Sequence, residues 1–398
     1  MPVRLLDVNA QNHPLAPQFR EAFERVFASG VFIMGPEVLA FEEEVAAATG
    51  AAHAIGVSSG TDALLLALMA LDIGPGDEVL VPAFTFFATA GCVARTGATP
   101  VFVDSCPVCF NIDVRAAEAK ISPRTKAIIP VHLFGQCADM DAILALAARH
   151  GLKVIEDAAQ SMGAGYRGQQ AGTLGDCGIF SFFPSKNLGG FGDAGMLICQ
   201  DAGLATRARR LRNHGMEPKY FHAEVGGNFR IDALQSALLR VKLPHLPAYC
   251  AARAANAQAY IEALSTLPGV VQANPADCQC AVQQEVALAN TAARIVLPVA
   301  YPWNQHIWNQ FTLRVRGHGA RDGLRAHLDA QGIGCEIYYP LTLDQQECFA
   351  HLPESARSTC PVAQQLASEV LSLPVYPELS VPQRTEVVHA ITNWLATQ

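Results

Sequence analysis

Short apolar segments alternate with helix-like segments through much of the first half of the chain, and this alternation constrains the fold most. The strand-like runs are HAIGVS, DEVLVPAF, TPVFVD, KAIIPVHLFG, LKVIEDAA, CGIFSFF and GMLICQ, with helix-like runs such as GTDALLLALMALDIG and MDAILALAARHG between them. Short β-branched runs separated by helices indicate a mostly parallel sheet that is covered on both faces. The pattern predicts an α/β fold whose functional residues lie just beyond the carboxyl ends of the strands.

A chain of 398 residues is long enough for two domains. After residue 200 the pattern changes to a long helical stretch that is interrupted by Pro244 and Pro247, and then to shorter mixed segments. We predict a large domain over residues 13–245, with a mostly parallel mixed sheet between helices, and a smaller C-terminal α/β domain over residues 246–398. Residues 1–12 are expected to pack nearby. Residues 272–305 have weak periodicity, which indicates a loop or a segment that covers a partner.

Hydrophobic residues make up 51% of the chain and charged residues only 16%, with a net charge of −8. So few charges leave apolar surface for a subunit interface to cover. Nucleic acid is excluded as a partner, because phosphate binding needs clustered lysine and arginine and the chain has no such cluster. The first residues do not resemble a signal peptide, and no uncharged apolar run approaches the length that spans a bilayer. We therefore expect a cytoplasmic protein with no membrane partner.

The twelve cysteines include two local pairs, Cys106 with Cys109 in CPVC and Cys278 with Cys280 in CQC. Such pairs can bind zinc, but the second spacing is poor for that purpose and no histidine pair accompanies either. Ordinary buried thiols are the alternative, since cysteine is among the most buried residue types. We therefore expect no metal site.

Lys186 has an unusual setting among the six lysines of the chain. It follows an apolar, aromatic run and precedes several glycines in FSFFPSKNLGGFGDAG. Glycines allow the backbone to close on a bulky ligand. A surface charge is the commonest role of a lysine, but a partly desolvated amine has the lowered pKa that a covalent role requires. We interpret Lys186 as a candidate nucleophile.

Asp157 ends the strand-like run in VIEDAAQS, so its carboxylate should emerge at the strand end. It could bind a metal, hold a ribose hydroxyl, cap a helix, or pair with the protonated ring nitrogen of pyridoxal phosphate (PLP). A metal would need further ligands, and the adjacent Glu156 should point to the opposite face. Gln160, three residues on, can reach a neighbouring phenolate oxygen.

The stretch VSSGTDALLLAL places small residues between a strand and an apolar helix. The free N–H groups and the positive end of the helix dipole would meet there, which favours a phosphate site at Gly60 and Thr61. An ordinary helix cap is the alternative, and the dinucleotide fingerprint GxGxxG is absent from this stretch. Phe86, in PAFTFFATAG, could stack on a planar ring or simply pack in the core.

Several stretches together resemble the DegT/StrS-type sugar aminotransferases, PLP enzymes of the aspartate aminotransferase fold (fold type I). The similar stretches are SSGTDALLLAL, GPGDEVLVPAFTFFATA, TKAIIPVHLFGQCADMDAI, VIEDAAQSMGAGYRG, SFFPSKNLGGFGDAGML, GGNFRIDALQSALLRVKL, GIGCEIYYP and EVLSLPVYPEL. They cover nearly the whole chain, and as a set they are specific.

The resemblance implies a role in the cofactor site for four of the residues discussed above. Lys186 resembles the lysine that binds PLP covalently, and Asp157 resembles the partner of the pyridinium nitrogen. Gln160 resembles the residue that contacts the ring oxygen, and Phe86 resembles the stacking aromatic residue.

The resemblance also implies a phosphate site and a dimer with shared active sites. Gly60, Thr61 and Ser181 look like phosphate contacts within the chain. Asn228 resembles the asparagine that reaches the phosphate from the other subunit. Arg230 is similar to an arginine that holds a substrate carboxylate across that interface, a task that suits a bidentate guanidinium.

The activity implied by the resemblance is transamination of a nucleotide-linked keto sugar, with L-glutamate as the amino donor, to give an amino sugar for biosynthesis of polysaccharides, glycans or natural products. SFFPSKNLGGFGDAG looks closer to relatives that act on 3-keto sugars than to those that act on 4-keto sugars. The alternatives are a PLP-dependent sugar dehydratase, a non-sugar aminotransferase or lyase of the same fold, and a non-enzymatic regulator. Dehydratases of the family replace the lysine with histidine, and Lys186 is present.

The chain departs from the family pattern in three places. DSCPVCFNID carries cysteines where acidic or small polar residues are usual. Tyr338 and Asp344 stand where histidines are common, in a region that contacts the sugar. Residues 272–305 form a longer segment than usual, so no contacts are transferred to them.

Overall fold

The computed structural model describes residues 2–275, 278, 293–357 and 359–397. The helices are α1 (Val8–Asn12), α2 (Ala16–Ser29), α3 (Pro36–Thr49), α4 (Gly60–Ala70), α5 (Ala88–Arg95), α6 (Val114–Glu118), α7 (Met140–His150), α8 (Ala202–Arg212), α9 (Ala233–Lys242), α10 (Leu246–Leu264), α11 (Ala320–Ala330), α12 (Pro361–Glu369) and α13 (Val381–Leu395). The strands are β1 (His53–Val57), β2 (Glu78–Pro82), β3 (Thr99–Val103), β4 (Thr125–Ile128), β5 (Lys153–Asp157), β6 (Gly165–Tyr166), β7 (Gln169–Gln170), β8 (Cys177–Ser181), β9 (Gly195–Cys199), β10 (Val270–Gln272), β11 (Ile295–Leu297), β12 (Asn304–Gln305), β13 (Phe311–Val315) and β14 (Val370–Leu373).

A seven-stranded sheet in the order β1-β9-β8-β5-β4-β2-β3 forms the centre of the molecule. The pairs among β8, β5, β4, β2 and β3 are parallel, and β9 pairs antiparallel with both β1 and β8. Each of the seven strand-like runs in the sequence supplies one of these strands. The prediction of an α/β fold with a mostly parallel mixed sheet is therefore confirmed.

Strand β2 shows why both faces of the sheet are apolar. Val79 and Val81 point into a core formed with α4, α5 and α8, whereas Leu80 points into a second core formed with α3, α7 and α9. All three side chains are completely buried. Successive residues of a strand face opposite sides, so a strand that is covered twice must be apolar at every position.

A second, four-stranded sheet in the order β10-β11-β13-β14 lies in the C-terminal part of the chain. Its own core includes Tyr260 from α10, Leu324 from α11 and Ile391 from α13. Val3 pairs with Ile333 and belongs to the same core. The domain limits at residues 12/13 and 245/246 stay a prediction.

The two prolines in the long helical stretch separate α9 from α10. Pro244 lies in a 3-10 turn, Leu243–His245, and Pro247 lies in the first turn of α10. Proline is tolerated in a first turn because it removes only a donor that has no partner there. Within the described residues, we find no helix with the length and apolar character needed to cross a membrane.

Candidate active site

The strands β5 and β8 are neighbours in the sheet, and their carboxyl ends bring the predicted site residues together. Asp157 is the last residue of β5 and is paired in parallel register with Ile179 of β8. Ser181, two residues beyond Ile179, ends β8 and shares its face of the sheet. The loop that carries Lys186 begins directly after Ser181. The predicted position of Asp157 at the end of a buried strand is therefore found.

Asp157 is 5% exposed, and its carboxylate accepts two hydrogen bonds. The Thr89 hydroxyl donates to Oδ2 over 2.8 Å, and the backbone N–H of Ala159 donates to Oδ1 over 3.2 Å. Burial raises the pKa of the carboxyl, while these two donors and the nearby Lys186 lower it. A carboxylate in this setting gains much from a cationic partner, because burial disfavours an isolated charge.

Lys186 lies close enough to Asp157 for the two charges to interact. Burial lowers the pKa of the lysine to about 8, and the aspartate charge partly opposes that shift. The residue as a whole is partly exposed, while its amine end is surrounded by protein atoms. A lysine with this pKa has a substantial neutral fraction near neutral pH, as a nucleophilic amine requires.

The loop after Lys186 is held tightly. The backbone N–H of Lys186 donates to the Phe183 carbonyl over 2.8 Å, and the backbone N–H of Gly190 donates to the Phe182 carbonyl over 2.7 Å. A methyl group at Gly189 would collide with the carbonyl oxygen of Pro184. Lys242 of α9 donates to the Gly189 carbonyl over 2.6 Å. Lys242 is fully buried and fixes the loop through this backbone contact, although nothing in the sequence distinguishes it from the ordinary lysines.

Helix α4 begins beside the same strand ends. Ser59 caps it by accepting the Asp62 N–H over 3.0 Å, and the first backbone bond of the helix runs from Ala63 to the Ser59 carbonyl. The amides of Gly60 and Thr61 precede that bond, so they point out of the helix N-terminus toward a ligand position. A methyl group at Gly60 would lie 2.7 Å from Ser181 Cβ. Gly60, Thr61 and Ser181 are thus brought together, as an anion site requires.

Gln160 and two aromatic residues line the side of the site toward β4 and the C-terminal region. The Gln160 Oε1 accepts the Phe134 N–H over 2.6 Å, and its Nε2 donates to the Tyr339 hydroxyl over 3.0 Å. One Nε2 proton is left for a ligand oxygen. Phe86 is 57% exposed, and its ring centroid lies 6.3 Å from that of Tyr339. Phe86 is therefore available for stacking rather than packed in the core.

Asn228 and Arg230 lie on the segment after α8, apart from the contacts described above. Asn228 is exposed and forms a bridge with Asn213. Arg230 pairs with Val57 at the end of β1 and donates to Asn213 Oδ1 over 2.7 Å. In the described part of the chain we find no hydrogen bond from either side chain to Lys186 or Asp157. Their assignment across a subunit interface stays a prediction.

Thr89 and Tyr339 are the site residues that sequence reasoning missed. Thr89 lies 68 residues from Asp157 in the chain, in the FFATAG stretch, whose aromatic residues are its conspicuous feature. Tyr339 follows Tyr338, which was noted as a departure from the family. Neither residue type carries a signal of its own, so only the folded neighbourhood identifies them.

The residues present fit PLP. The outward-pointing amides and Ser181 suit its phosphate, and the buried Asp157 carboxylate suits a protonated ring nitrogen. Lys186, with its lowered pKa, suits the aldehyde. The fold and the site define a PLP-dependent enzyme of fold type I.

The chain belongs to the DegT/DnrJ/EryC1/StrS aminotransferase family, whose family model matches residues 15–392. It is therefore an aminotransferase, and enzymes of this family depend on PLP. Over 393 residues it is 45% identical to a UDP-N-acetyl-3-dehydro-alpha-D-glucosamine 3-aminotransferase of Acidithiobacillus ferrooxidans, covering 99% of this chain and 98% of the relative.

Two other comparisons complete the finding. A protein of Geobacillus stearothermophilus named a pleiotropic regulatory protein is 44% identical over 394 residues, with 99% of each chain covered. The crystal structure of S. venezuelae DesV in complex with a ketimine intermediate is 42% identical and superimposes with a TM-score of 0.88, covering 99% of this chain and 98% of that one.

Proposed function

We propose that this aminotransferase transfers an amino group from L-glutamate to a 3-keto sugar that is linked to a nucleotide. The observation that carries the proposal is the meeting of Lys186, Asp157 and the turn at Gly60 on one edge of the sheet. The Acidithiobacillus relative is named a 3-aminotransferase of a UDP-linked 3-dehydro sugar. That name supports the 3-keto sugar over the 4-keto sugar.

Lys186 has the central role in the proposal. PLP, when bound, supplies a ring that withdraws the electrons left when a proton leaves the α-carbon of the amino donor. Lys186 binds the cofactor aldehyde at rest and, once released, takes the proton from that α-carbon. In the second half of the reaction it returns a proton to the sugar carbon that receives the amine.

The neighbours of Lys186 hold the cofactor in position. Asp157 keeps a proton on the ring nitrogen, and Thr89 and the Ala159 N–H orient the carboxylate for that contact. Gly60, Thr61 and Ser181 hold the phosphate at the start of α4. Phe86 would stack on the ring, and Gln160 would donate to its oxygen.

We also propose a homodimer in which Asn228 and Arg230 complete the site of the other subunit. The chain leaves a group of large apolar side chains exposed on α2 and in the segment that follows it. They are Phe23, Phe27, Val31, Phe32 and Ile33. Exposed apolar patches of this kind mark interaction surfaces, and a second copy of the chain is the partner that the proposal requires.

The test is an assay of the PLP-loaded protein with L-glutamate and a panel of UDP- and dTDP-linked 3-keto and 4-keto sugars. We expect stoichiometric 2-oxoglutarate and a product whose amine lies on C3 by NMR. Lys186→Ala should lose at least the roughly 10²–10⁴-fold that general acid–base catalysis contributes. Lys126→Ala is the control, because Lys126 is an exposed lysine on β4.

Two outcomes would contradict the proposal. Amination at C4 with no turnover of 3-keto sugars would reject the regiochemistry while leaving the aminotransferase class intact. Wild-type turnover by Lys186→Ala would reject the assignment of the lysine.

A further inference from the structure

Three cysteines from two distant parts of the chain meet in the structure. Cys106 and Cys109 lie in the loop after β3, and Cys278 lies just beyond β10. Their sulfur atoms all lie within 4.8 Å of one another, and the Cys106 and Cys278 sulfurs are 3.4 Å apart. Within the described residues, no other group of three His, Cys, Asp or Glu side chains comes this close.

The spacing of these sulfurs is that of ligands around a small ion rather than that of a disulfide. A disulfide bond is about 2.0 Å long. Thiolates bound to tetrahedral zinc at about 2.3 Å are roughly 3.8 Å apart, which lies within the range seen here. In the sequence, the spacing of the CQC pair argued against zinc, and neither pair had a histidine pair nearby. The fold combines the CPVC pair with a cysteine from the other pair.

The loop that carries the first two cysteines is preformed for such a role. A bridge between Ser105 and Ile112 closes it, and the Cys106 N–H donates to the Asn111 carbonyl over 2.8 Å. The Val108 N–H points at the Cys106 sulfur over 3.5 Å. Backbone donors to a sulfur stabilise its thiolate form, which is the form that binds metal.

The surroundings of the cluster are buried and mostly apolar. Cys106 is fully buried, and Cys109 and Cys278 are 5% and 7% exposed. They pack in one cluster with Val108, Val296, Val299 and Tyr301. Thiolates without a cation would be costly in such a place.

We propose that Cys106, Cys109 and Cys278 bind a structural zinc ion that ties the loop after β3 to the segment after β10. Each thiol releases its proton to solvent on binding, and the zinc–sulfur bonds replace the three sulfur–hydrogen bonds. Three thiolates leave one position of a tetrahedral ion for a fourth donor. Cys280 lies outside the described residues, and the proposal assigns it no role.

The cysteine cluster takes no part in the chemistry of the PLP site, but it is connected through packed side chains to a residue that lines that site. The cysteine loop continues into Phe110, whose ring packs edge-on against Phe134 at 5.7 Å. The Phe134 N–H is the donor to Gln160. The ion would therefore stabilise a loop that supports the active site from behind.

The test is the metal content of the untagged holoenzyme, which is purified without chelators from zinc-supplemented cells. Elemental mass spectrometry (inductively coupled plasma) measures the zinc. We expect about one zinc per chain. Cys109→Ser and Cys278→Ser should each lose most of it. Cys199→Ser is the matched control, because Cys199 is a buried cysteine of β9 outside the cluster, and it should retain the zinc.

A second measurement on the wild-type chain covers the case in which the serine variants do not fold. Titration with a mercurial should release zinc, and Co²⁺ exchanged into the protein should give the visible absorption of thiolate-bound cobalt. A wild-type protein that neither contains nor takes up zinc would overturn the proposal. A disulfide between any two of these cysteines in the purified protein, a different metal, or equal zinc loss in the Cys199→Ser control would overturn it as well.

Discussion

The Thr89 hydroxyl donates a 2.8 Å hydrogen bond to the Asp157 carboxylate, and this contact joins the start of α5 to the end of β5. Asp157 is buried, so each donor that it keeps opposes the rise in pKa that burial causes. Thr89 therefore positions the carboxylate and also opposes its protonation.

The first prediction concerns this contact. Thr89→Val keeps the shape of the side chain and removes the donor, so the pKa of Asp157 should rise further and the carboxylate should protonate at a higher pH. We expect the acidic limb of the pH profile of kcat/KM to move up by about one to two units, since a hydrogen bond to a charged group contributes about 1.5–3 kcal/mol and one unit corresponds to about 1.4 kcal/mol. The affinity for PLP should also fall.

Thr96→Val is the control for that variant. Thr96 closes the same helix and donates to the Val93 carbonyl, away from Asp157. Equal movement of the acidic limb in both variants would show that Thr89 acts through the stability of α5 rather than through the carboxylate.

The second prediction concerns the pH dependence of cofactor capture. The pKa of Lys186 is lowered to about 8, so the neutral, reactive amine predominates above that pH and its fraction falls about tenfold per pH unit below it. We expect the rate at which PLP-free protein combines with PLP to rise about tenfold per pH unit below 8 and to level off above it. Stopped-flow absorbance measures this rate.

A variant at Asp157 sharpens that measurement. The aspartate charge raises the pKa of Lys186, so Asp157→Asn should move the point of levelling to a lower pH. A rate that continues to rise toward pH 10.5 in the wild-type protein would mean that Lys186 is an ordinary, hydrated lysine.

The third prediction concerns the turn at the start of α4. Gly60→Ala places a methyl group 2.7 Å from Ser181 Cβ, so the turn and the end of β8 must separate. Overpacking of this kind costs about 1–3 kcal/mol, which corresponds to roughly a 5- to 150-fold loss of PLP affinity if the turn holds the phosphate. The dissociation constant of PLP, measured by fluorescence, checks this.

Gly74→Ala is the matched control. The nearest atom to a methyl group at Gly74 is the Thr96 carbonyl oxygen at 3.7 Å, an ordinary contact. PLP affinity in Gly60→Ala that equals that of Gly74→Ala would argue against a phosphate at this turn.

The fourth prediction concerns the dimer with shared sites. Lys186→Ala and Asn228→Ala should each be inactive alone, whereas a mixture that exchanges subunits should regain activity. Half of the dimers would be mixed and one of their two sites would be intact, so we expect about a quarter of wild-type activity.

The same subunit-exchange experiment also defines the result that would contradict shared active sites. If Asn228 acts within its own chain, both sites of a mixed dimer still carry one defect each and no activity returns. Light scattering of the same mixture establishes that dimers are present, so a monomer would be recognised at once.

Much of the fold could be predicted from the sequence, because burial on both faces of a sheet leaves a visible pattern. All seven strands of the large sheet were marked by apolar runs, and Asp157 stood out as a charge at the end of one of them. Lys186 stood out in the same way, as a rare cation between aromatic residues and glycines.

The contacts that cross long stretches of chain could not be predicted. Thr89 and Asp157 lie on different strand–helix units, and Cys278 meets Cys106 although 172 positions separate them. Local spacing carries no information about such encounters, because the sheet order and the packing of the second sheet decide them. The proposed role of Asn228 is a different case, since the structure of a single chain does not contain the contact with another subunit that the proposal requires.

The pairing of Asp157 with Ile179 in neighbouring strands has a consequence for engineering. The distance from the acid to the lysine loop is set by a ladder of backbone bonds, not by the residues that connect the two strands along the chain. Surface insertions in that connection should therefore be tolerated without a change in the chemistry, whereas a one-residue deletion inside β8 would turn its buried side chains to the wrong face and separate the two groups.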